Sequence, residues 1–399
     1  MTHAQSAKVA VIGGGPYGLL YSIELSKLSI PSAVFEEHER IGKPEHCAGL
    51  ISVNTLKSLP FSERAVLSRI KGAVIYSPSG KKRIIVRAKS HVAVVVDRKV
   101  LDSSLAELAE ESEVAILRKE KALSISLGRT QSKILFKNHV VRAEVVAVAT
   151  GAARSFPRLA GFLVPRGIIP ALQVDIEGVD HEEDMVEVYL SNKAFSGLFG
   201  WLVPRGDAVR IGVTAPNPLP ALKWLLDKYD ALRGRVNRAR VISYIGGAVI
   251  TGGPLKEFTR LSAIVLGDSA GQTKPTTGGG LAFARDTARI AAKVTAEYLE
   301  EGLSLERYTS TWWKTYGREV RAMLALRKVL NDLSDKELET LMRVLIEEGF
   351  EEEAVRWGDM DRQAGLIYRF TPRLLKHFVK KPHLFFSVIS SLARAFFLP

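Results

Sequence analysis

Near the start of the chain, the apolar positions form two short continuous runs around a glycine-rich turn. The stretch KVAVIGGGPYGLLYSIELSKLSIPSAVFEE, residues 8–37, therefore predicts a strand, a turn, a helix and a second strand. Uninterrupted apolar strands joined by a helix are typical of a parallel sheet that is covered on both faces. The pattern indicates a βαβ unit at the start of the fold.

The next hundred or so residues combine hairpin and helical patterns. Residues 72–88, GAVIYSPSGKKRIIVRA, indicate a hairpin, because two apolar strands flank the turn-forming SPSG. Residues 98–112 carry three leucines at helical spacing. Residues 122–152 indicate a β-meander that ends in a buried strand.

The pattern changes again beyond residue 163. Short apolar strands alternate with turns that contain Pro and Gly, and SAIVLGDSAG, residues 262–271, then returns to the parallel-sheet pattern. From Leu281 onward the apolar spacing is mostly helical. These changes predict an α/β fold with a Rossmann-like domain in two parts, an inserted mixed β-sheet domain and a C-terminal helical region. The predicted bounds are 1–163 and 257–300 for the Rossmann-like domain, 164–256 for the insertion and 301–399 for the helical region.

The charge of the chain narrows the partners that are expected. The net charge of +13 over 399 residues favours nucleic acid, a phosphate-bearing cofactor or an anionic membrane surface. No basic motif interleaved with aromatic residues is present, so nucleic acid is not expected. The single cysteine, Cys47, excludes an internal disulfide, an iron–sulfur cluster and a structural zinc held by cysteines, and no metal is expected.

The first glycine-rich turn has the spacing of a dinucleotide-binding loop. Gly13, Gly15 and Gly18 follow the G-x-G-x-x-G pattern between a strand and a helix. Glu36 ends the second strand, where a carboxylate accepts hydrogen bonds from ribose hydroxyls. The helix N-terminus supplies N–H groups to a pyrophosphate. The alternative is a βα turn that binds nothing.

A second loop, GDSAGQTKPTTGGG, follows the late strand and favours FAD over NAD. In many FAD proteins of this fold, an acid at that strand end lies near the ribitol, which assigns this role to Asp268. Gly278, Gly279 and Gly280 let the backbone approach a flat isoalloxazine and present N–H groups to it. Gly151, in the ATGA that ends another buried strand, is assigned to the same cofactor site. The alternative is a turn followed by a helix cap.

Three further motifs resemble one family of flavoproteins. GKPEHCAGLIS (42–52), FGWLVP (199–204) and KPTTGGG (274–280) resemble segments of the geranylgeranyl reductases, which have the para-hydroxybenzoate hydroxylase fold and saturate isoprenoid chains of archaeal lipids, chlorophyll or quinones. The resemblance covers about residues 8–300. The chain departs from the family where Ala48 follows the cysteine, where Phe199 replaces a common Tyr, and where Thr150 replaces a common Asp.

This resemblance implies the roles of the site residues. It implies that Arg98 belongs to the FAD-binding set and that Cys47 lies near flavin and substrate, as a proton donor or as a group that tunes the site. It also implies that Phe199 and Trp201 line an apolar slot for a prenyl chain, above a turn shaped by Pro204. Each residue also has a structural alternative. Arg98 is then a helix-start arginine, Cys47 a buried structural thiol and the aromatic pair part of the sheet core.

The implied activity is an FAD-dependent reduction of isolated C=C bonds in a prenyl chain of a lipid or quinone, by a hydride from reduced flavin and a proton from Cys47, His46 or water. Without a second dinucleotide motif or a set of cluster-binding cysteines, the electron donor is expected to be external, a ferredoxin or a nicotinamide. Two alternatives stay open. One is a flavin monooxygenase or halogenase-like enzyme of the same fold, and the other is a non-catalytic electron-transfer flavoprotein.

The last residues predict an amphipathic helix. Phe385, Ile389, Leu392 and Phe396 fall near one face, and two lysines precede it. The pattern fits peripheral contact with an anionic membrane, and it equally fits a helix packed on the protein or on a dimer partner. Because no apolar run approaches the length of a membrane span and no secretory segment precedes the first strand, the expected location is cytoplasmic, with a peripheral position on the inner face of the membrane as the alternative.

Overall fold

The computed structural model describes residues 4–60, 63–195, 198–237 and 239–378. The strands are β1 (Ala4–Ile12), β2 (Ser32–Glu36), β3 (Leu50–Ser52), β4 (Val66–Ile70), β5 (Gly72–Tyr76), β6 (Arg83–Arg87), β7 (Ala93–Val96), β8 (Ala115–Arg118), β9 (Ser124–Ser126), β10 (Ser132–Leu135), β11 (Val140–Val148), β12 (Ile168–Glu177), β13 (Met185–Tyr189), β14 (Gly200–Arg205), β15 (Ala208–Thr214), β16 (Arg240–Ile250), β17 (Thr259–Arg260) and β18 (Ala263–Val265). The helices are α1 (Pro16–Ser26), α2 (Val53–Ser58), α3 (Arg98–Glu111), α4 (Ser155–Leu159), α5 (Asn192–Phe195), α6 (Pro218–Lys228), α7 (Leu281–Glu301), α8 (Arg307–Asp332), α9 (Asp335–Glu347), α10 (Phe350–Trp357) and α11 (Ala364–Phe378).

The first sheet has eight strands and contains the predicted βαβ unit. Its order is β17-β18-β11-β1-β2-β8, and β9 and β10 extend it beside β11. β18, β11, β1, β2 and β8 run parallel, so their carboxyl ends meet at one edge of the sheet. Val9, Val11 and Val146 are fully buried, as expected for strands that are covered on both faces. The predicted meander is present as the antiparallel β9, β10 and β11.

The second sheet has seven strands in the order β16-β12-β15-β14-β13-β5-β6. Its strands are antiparallel except for β5 and β13, which pair in parallel. The predicted hairpin at residues 72–88 is present as β5 and β6, but it completes this sheet together with strands from residues 168–250. A small third sheet, β3-β7-β4, lies between residues 50 and 96. The domain bounds at residues 163, 256 and 300 stay a prediction.

Helices α8 to α11 form the described part of the predicted C-terminal helical region. α8 packs against α7 and α11, while α9 and α10 contact β6 of the second sheet. The helical region therefore bridges the two large sheets. The predicted amphipathic tail, with Phe385, Ile389, Leu392 and Phe396, lies outside the described residues. Among the described residues, no helix has the length and apolar character of a membrane span.

Candidate functional site

The glycines of the first loop are required for two different structural reasons. Gly13 has a φ of +110°, and a Cβ there would lie 2.4 Å from the carbonyl oxygen of Ala149. A Cβ at Gly18 would lie 2.1 Å from the carbonyl oxygen of Gly13. These two positions therefore require glycine for packing within the protein. Gly15 differs, because a Cβ there would meet nothing within 4 Å, and Gly15 lines a large cavity.

Open space at Gly15 coincides with the start of α1. Gly15 is the N-cap of that helix and Pro16 occupies its first turn, so the free N–H groups of the helix end lie beside the open space. A pyrophosphate binds favourably at such a position, because the N–H groups and the helix dipole both stabilise negative charge. The structure thus fits the predicted dinucleotide loop.

The Glu36 carboxylate holds this loop in place. It is 9% exposed, and it accepts hydrogen bonds from Gly14 N at 2.8 Å and from His38 N at 2.9 Å. The His38 ring also contacts it. A carboxylate has about four acceptor positions, so capacity for a ribose hydroxyl remains.

Asp268 lies at the end of β18, on the same edge of the sheet. No described residue donates a hydrogen bond to its carboxylate, which lines the cavity. Burial raises the pKa of the Asp268 carboxyl, and the positive charge of Arg98 offsets part of that rise. A carboxylate that faces a cavity without a protein donor is suited to accept from a hydroxyl, as predicted for the ribitol.

The loop that contains Gly151 is joined to the Asp268 loop by hydrogen bonds. Ser269 Oγ donates to Gly151 O at 2.9 Å and lies 3.2 Å from Thr150 Oγ1. Gly151 has a φ of +64° and lines the cavity. Thr150, at the position where the family often has Asp, therefore serves as a contact between two loops.

The three consecutive glycines pack tightly against the protein's own side chains. A Cβ at Gly278, whose φ is +73°, would lie 2.1 Å from Val249 Cγ1. A Cβ at Gly280 would lie 3.0 Å from Asp268 Oδ1, and one at Gly279 would lie 3.0 Å from Lys274 Cε. All three glycines also line the cavity. The segment therefore needs glycine for internal packing as well as for the predicted approach to a flavin.

The Cys47 thiol lies at the cavity wall, where a backbone N–H and the side chain of Arg98 interact with its sulfur. Gly49 N donates to its sulfur at 3.4 Å, and Arg98 interacts with the same sulfur. Arg98 also forms a bidentate ion pair with Asp102. Burial lowers the pKa of Arg98, but Asp102 and Cys47 outweigh it, so the pKa lies above its ordinary value. Arg98 thus positions Cys47, in addition to lying beside the cofactor cavity.

The segment that carries Cys47 is anchored by a buried ion cluster that the sequence did not predict. Arg210, 1% exposed, pairs with Glu45 at 2.9 Å and with Asp175 at 2.7 Å, and it donates to Cys47 O at 2.6 Å. Arg205 also pairs with Glu45, at 3.0 Å. No local signal identifies this cluster, because its members come from three distant parts of the chain.

His46, the other candidate proton donor, also lines the cavity. It is exposed, and its Nδ1 donates to Gly246 O at 2.7 Å. That bond joins residues 42–50 to the edge strand β16. The structure therefore gives His46 a structural contact.

Phe199 and Trp201 line the cavity together. Their rings meet edge to face, with centroids 6.2 Å apart, and the indole lies over Gly212, where a Cβ would be 2.4 Å from Trp201 Cε2. Trp201 is also part of an apolar cluster with Ile70 and Val203, so it is both core and wall. Pro204 lies farther along β14, in register with Val209, and it is not among the residues that line the cavity. Its predicted substrate contact has no support from the cavity geometry.

One continuous cavity of about 1360 Å³ connects the residues described above. It is larger than the roughly 300–1,000 Å³ of common small-ligand pockets, so it has room for a dinucleotide and a second molecule. The part that lies among α8 to α11 is termed the helical chamber. Its walls are mostly apolar and include Leu326, Leu330, Leu341, Leu345, Ile367 and Phe370. The polar lining residues there are Arg327, Asp359, Gln363 and Thr371. The sequence indicated the helices but not this chamber.

A buried lysine ties the glycine segment to the helical chamber. Lys274 is 3% exposed, and its Nζ donates to Met360 O and to Asp361 Oδ1, both at 2.9 Å. Ser52 and Thr55 donate to the other oxygen of Asp361. No sequence pattern predicts a role for Lys274, and the structure shows that its ammonium group is neutralised by Asp361.

Comparisons with known proteins agree with this geometry. No family model matches the chain. The digeranylgeranylglycerophospholipid reductase of Methanocaldococcus jannaschii is 27% identical over 388 residues, which cover 93% of this chain and 97% of that protein. Further proteins of the same name match at 27–29% identity. The chain is thus similar to digeranylgeranylglycerophospholipid reductases over most of its length. The resemblance expected from the three motifs is therefore confirmed.

The solved structures confirm the predicted fold. A geranylgeranyl bacteriochlorophyll reductase-like protein from Thermoplasma acidophilum superposes with a TM-score of 0.83 at 24% identity, over 95% of this chain and 100% of that chain. The flavin-dependent monooxygenase PieE, in complex with FAD and substrate, superposes with a TM-score of 0.62 at 14% identity, over 92% of this chain and 72% of that chain. The expectations of an oxidoreductase and of FAD agree with these relatives and neighbours.

Proposed function

We propose that the chain is an FAD-dependent reductase that saturates isolated C=C bonds in the prenyl chain of a lipid. The observation that best supports this function is the continuous cavity, which joins the sheet edge that carries the predicted dinucleotide loop to the helical chamber. A long apolar substrate that reacts beside a flavin needs both parts in one space. The names of the related reductases support the same substrate class.

The residues present fit FAD. Gly15 and the N-terminus of α1 offer open space and N–H groups for the pyrophosphate, and Asp268 offers an unshared carboxylate for the ribitol. Glu36 retains acceptor capacity for the ribose. Gly151, Arg98 and the segment Gly278–Gly280 complete the lining of this part of the cavity. When bound, FAD supplies the hydride that the reduction requires.

Cys47 holds the proton in this proposal. Transfer of the S–H proton to the second carbon of the alkene leaves a thiolate, and the N–H of Gly49 and the cation of Arg98 both stabilise that negative charge. Solvent then returns a proton to the sulfur. Cys47 is partly exposed, so this return path is open.

Phe199 and Trp201 provide the apolar wall beside Cys47. An unactivated alkene is a poor hydride acceptor, so positive charge develops on carbon as the proton arrives. Aromatic faces stabilise such charge, and apolar walls exclude water that would otherwise capture it. A role as part of the sheet core, the structural alternative for these residues, is compatible with this one, since Trp201 also packs in a buried apolar cluster.

The electron donor is external in this proposal. The net charge of +13 suits an acidic protein donor such as a ferredoxin, and a transiently bound nicotinamide is the other candidate. The predicted peripheral membrane contact through residues 379–399 stays a prediction, as does the cytoplasmic location.

The test is an anaerobic single turnover. The FAD-loaded protein is reduced with dithionite and mixed with a geranylgeranyl glycerophospholipid, and flavin absorbance and lipid mass are followed together. We expect flavin reoxidation with a gain of two hydrogens for each bond reduced. The fully saturated lipid with the same head group is the matched control and leaves the flavin reduced. A flavin that reoxidises only with oxygen, with a hydroxylated product, contradicts the proposal and favours a monooxygenase. A flavin that passes electrons to a protein partner while the alkene stays intact favours electron transfer.

A further inference from the structure

Arg327 is a buried cation that lines the cavity. It lies on α8 and is 5% exposed. Its Nη2 donates to Thr276 O at 3.0 Å and its Nη1 to Asn331 Oδ1 at 3.3 Å, and both acceptors are neutral. Its Nε is buried and has no hydrogen-bond partner among the described residues. Of its five N–H donors, the guanidinium group therefore uses two among the described residues, and it has no counter-charge.

The other buried cations near the cavity are compensated. Lys274 pairs with Asp361, Arg98 with Asp102, and Arg210 with Glu45 and Asp175. Among the described residues, no carboxylate lies within ion-pair distance of Arg327, and burial alone lowers its pKa to about 10. At neutral pH it still carries its charge. A buried charge is ordinarily paired, because an unpaired one loses its hydration without replacement. This arrangement points to an anionic ligand as the missing partner.

The surroundings of Arg327 define the rest of that ligand. Its neighbours Leu326 and Leu330 belong to the wall of the helical chamber, where most of the other lining residues are apolar and Asp359, Gln363 and Thr371 are polar. A few polar groups in an otherwise apolar cavity set the orientation of the bound molecule. A ligand that satisfies both features has one anionic group attached to a long apolar chain. A planar guanidinium matches the oxygen geometry of a phosphate particularly well.

We propose that Arg327 binds the phosphate of a prenyl phosphate or prenyl phospholipid, and that the walls of the helical chamber receive the chain. The inference rests on the proposed function for the identity of the chain. It adds a selectivity that the proposed function alone does not contain. Anionic prenyl lipids bind in preference to prenyl alcohols or quinones of the same chain length, and Arg327 is the residue that makes the difference.

The test compares two ligands that differ only in charge. Binding of geranylgeranyl phosphate and of geranylgeraniol to the oxidised, FAD-loaded protein is measured by calorimetry. We expect the phosphate to bind about 10- to 100-fold more tightly, the range for a hydrogen bond to a charged group. In Arg327→Met, which has similar length and no charge, the ratio falls to about one. In Arg327→Lys part of the preference remains. Arg307→Met, at the exposed start of the same helix, leaves the ratio unchanged and controls for the loss of one positive charge.

Several results would overturn the inference. One is a ratio near one in the unmodified protein, and another is a ratio that persists in Arg327→Met. A third is an Arg327→Met variant in which the ratio is unchanged but the reduction potential of the bound FAD is shifted, because the flavin would then be the partner of Arg327. Arg327→Met also loses the hydrogen bonds to Thr276 O and Asn331 Oδ1, so the melting temperature of each variant is measured, and if Arg327→Met is unfolded the ratio in Arg327→Lys decides. Because no turnover is involved, selective binding without alkene reduction would retain the Arg327 site and refute the reductase.

Discussion

Replacement of Gly278 by alanine tests whether the glycine segment is held by packing or only by a ligand. The new Cβ would lie 2.1 Å from Val249 Cγ1, at a φ of +73°. A side chain at such a φ costs about 1–2 kcal/mol. Overpacking against a neighbour costs about 1–3 kcal/mol. We therefore expect Gly278→Ala to lower the free energy of unfolding of the FAD-free protein by about 2–5 kcal/mol.

Two further variants separate the backbone contribution from the steric one. Gly302→Ala, at a φ of +70° with nothing within 4 Å, carries only the backbone cost of about 1–2 kcal/mol. Val249→Ala removes the atom that the new Cβ meets, so the double variant with Gly278→Ala should regain the steric part. The assay is urea unfolding of the FAD-free single and double variants, analysed as a double-mutant cycle. A loss below about 0.5 kcal/mol for Gly278→Ala, or no coupling to Val249, would refute the packing argument.

Three other predictions follow from the same site. Gly15→Val should leave the melting temperature of the FAD-free protein unchanged, because a Cβ there meets nothing within 4 Å. It should weaken FAD binding at least about tenfold by titration, because the side chain fills the space expected for the pyrophosphate. Equal FAD affinity would contradict this position for the cofactor. Arg210→Met should lower the free energy of unfolding by about 3–5 kcal/mol at neutral pH, because Asp175 loses its ion-pair partner and Glu45 keeps only Arg205 and Lys99. Burial raises the pKa values of Glu45 and Asp175, but Arg210 outweighs burial and holds both below their ordinary range. The stability that Arg210 contributes is therefore present above the ordinary pKa values and is lost as pH falls through the lowered ones. Denaturation measured from pH 7 to pH 3 should accordingly show a smaller loss of stability in acid for the variant than for the unmodified protein. Cys47→Ala should slow alkene-dependent flavin reoxidation by about 10²-fold or more while FAD affinity stays the same, and an unchanged rate would assign the proton to another donor.

The parts of the fold that the sequence predicted correctly depend on neighbours close in the chain. The βαβ unit, the hairpin at residues 72–88 and the helix at 98–111 are set by local periodicity and turn residues. The pairing of β5 with β13 was not predicted, because it joins residues more than a hundred positions apart and leaves no local trace. A contiguous division of the chain therefore misses that the second sheet takes its edge hairpin from the first part.

The same distinction applies to the site. Gly13, Gly15 and Gly18 were recognisable from spacing, since a dinucleotide loop is a local structure. The Arg210 cluster and the Lys274–Asp361 pair were not, because each is assembled from distant segments. Pro204 was assigned from a motif whose aromatic members do line the cavity, but alternation along β14 turns its ring away from the cavity wall.

The ion pair of Lys274 and Asp361 shows that the two halves of the cavity depend on each other. Lys274 starts the segment that ends at Gly280, beside the Asp268 carboxylate, and its ammonium group is bound to the turn that precedes α11. Arg327 makes a second link, from α8 to Thr276 of the same segment. A displacement of the chamber helices therefore moves the backbone that the cofactor is expected to contact. Since the pair is buried, breaking it by removing one partner costs more than any exposed pair. The chamber that would hold the prenyl chain and the segment that would hold the flavin are thus positioned by one set of contacts.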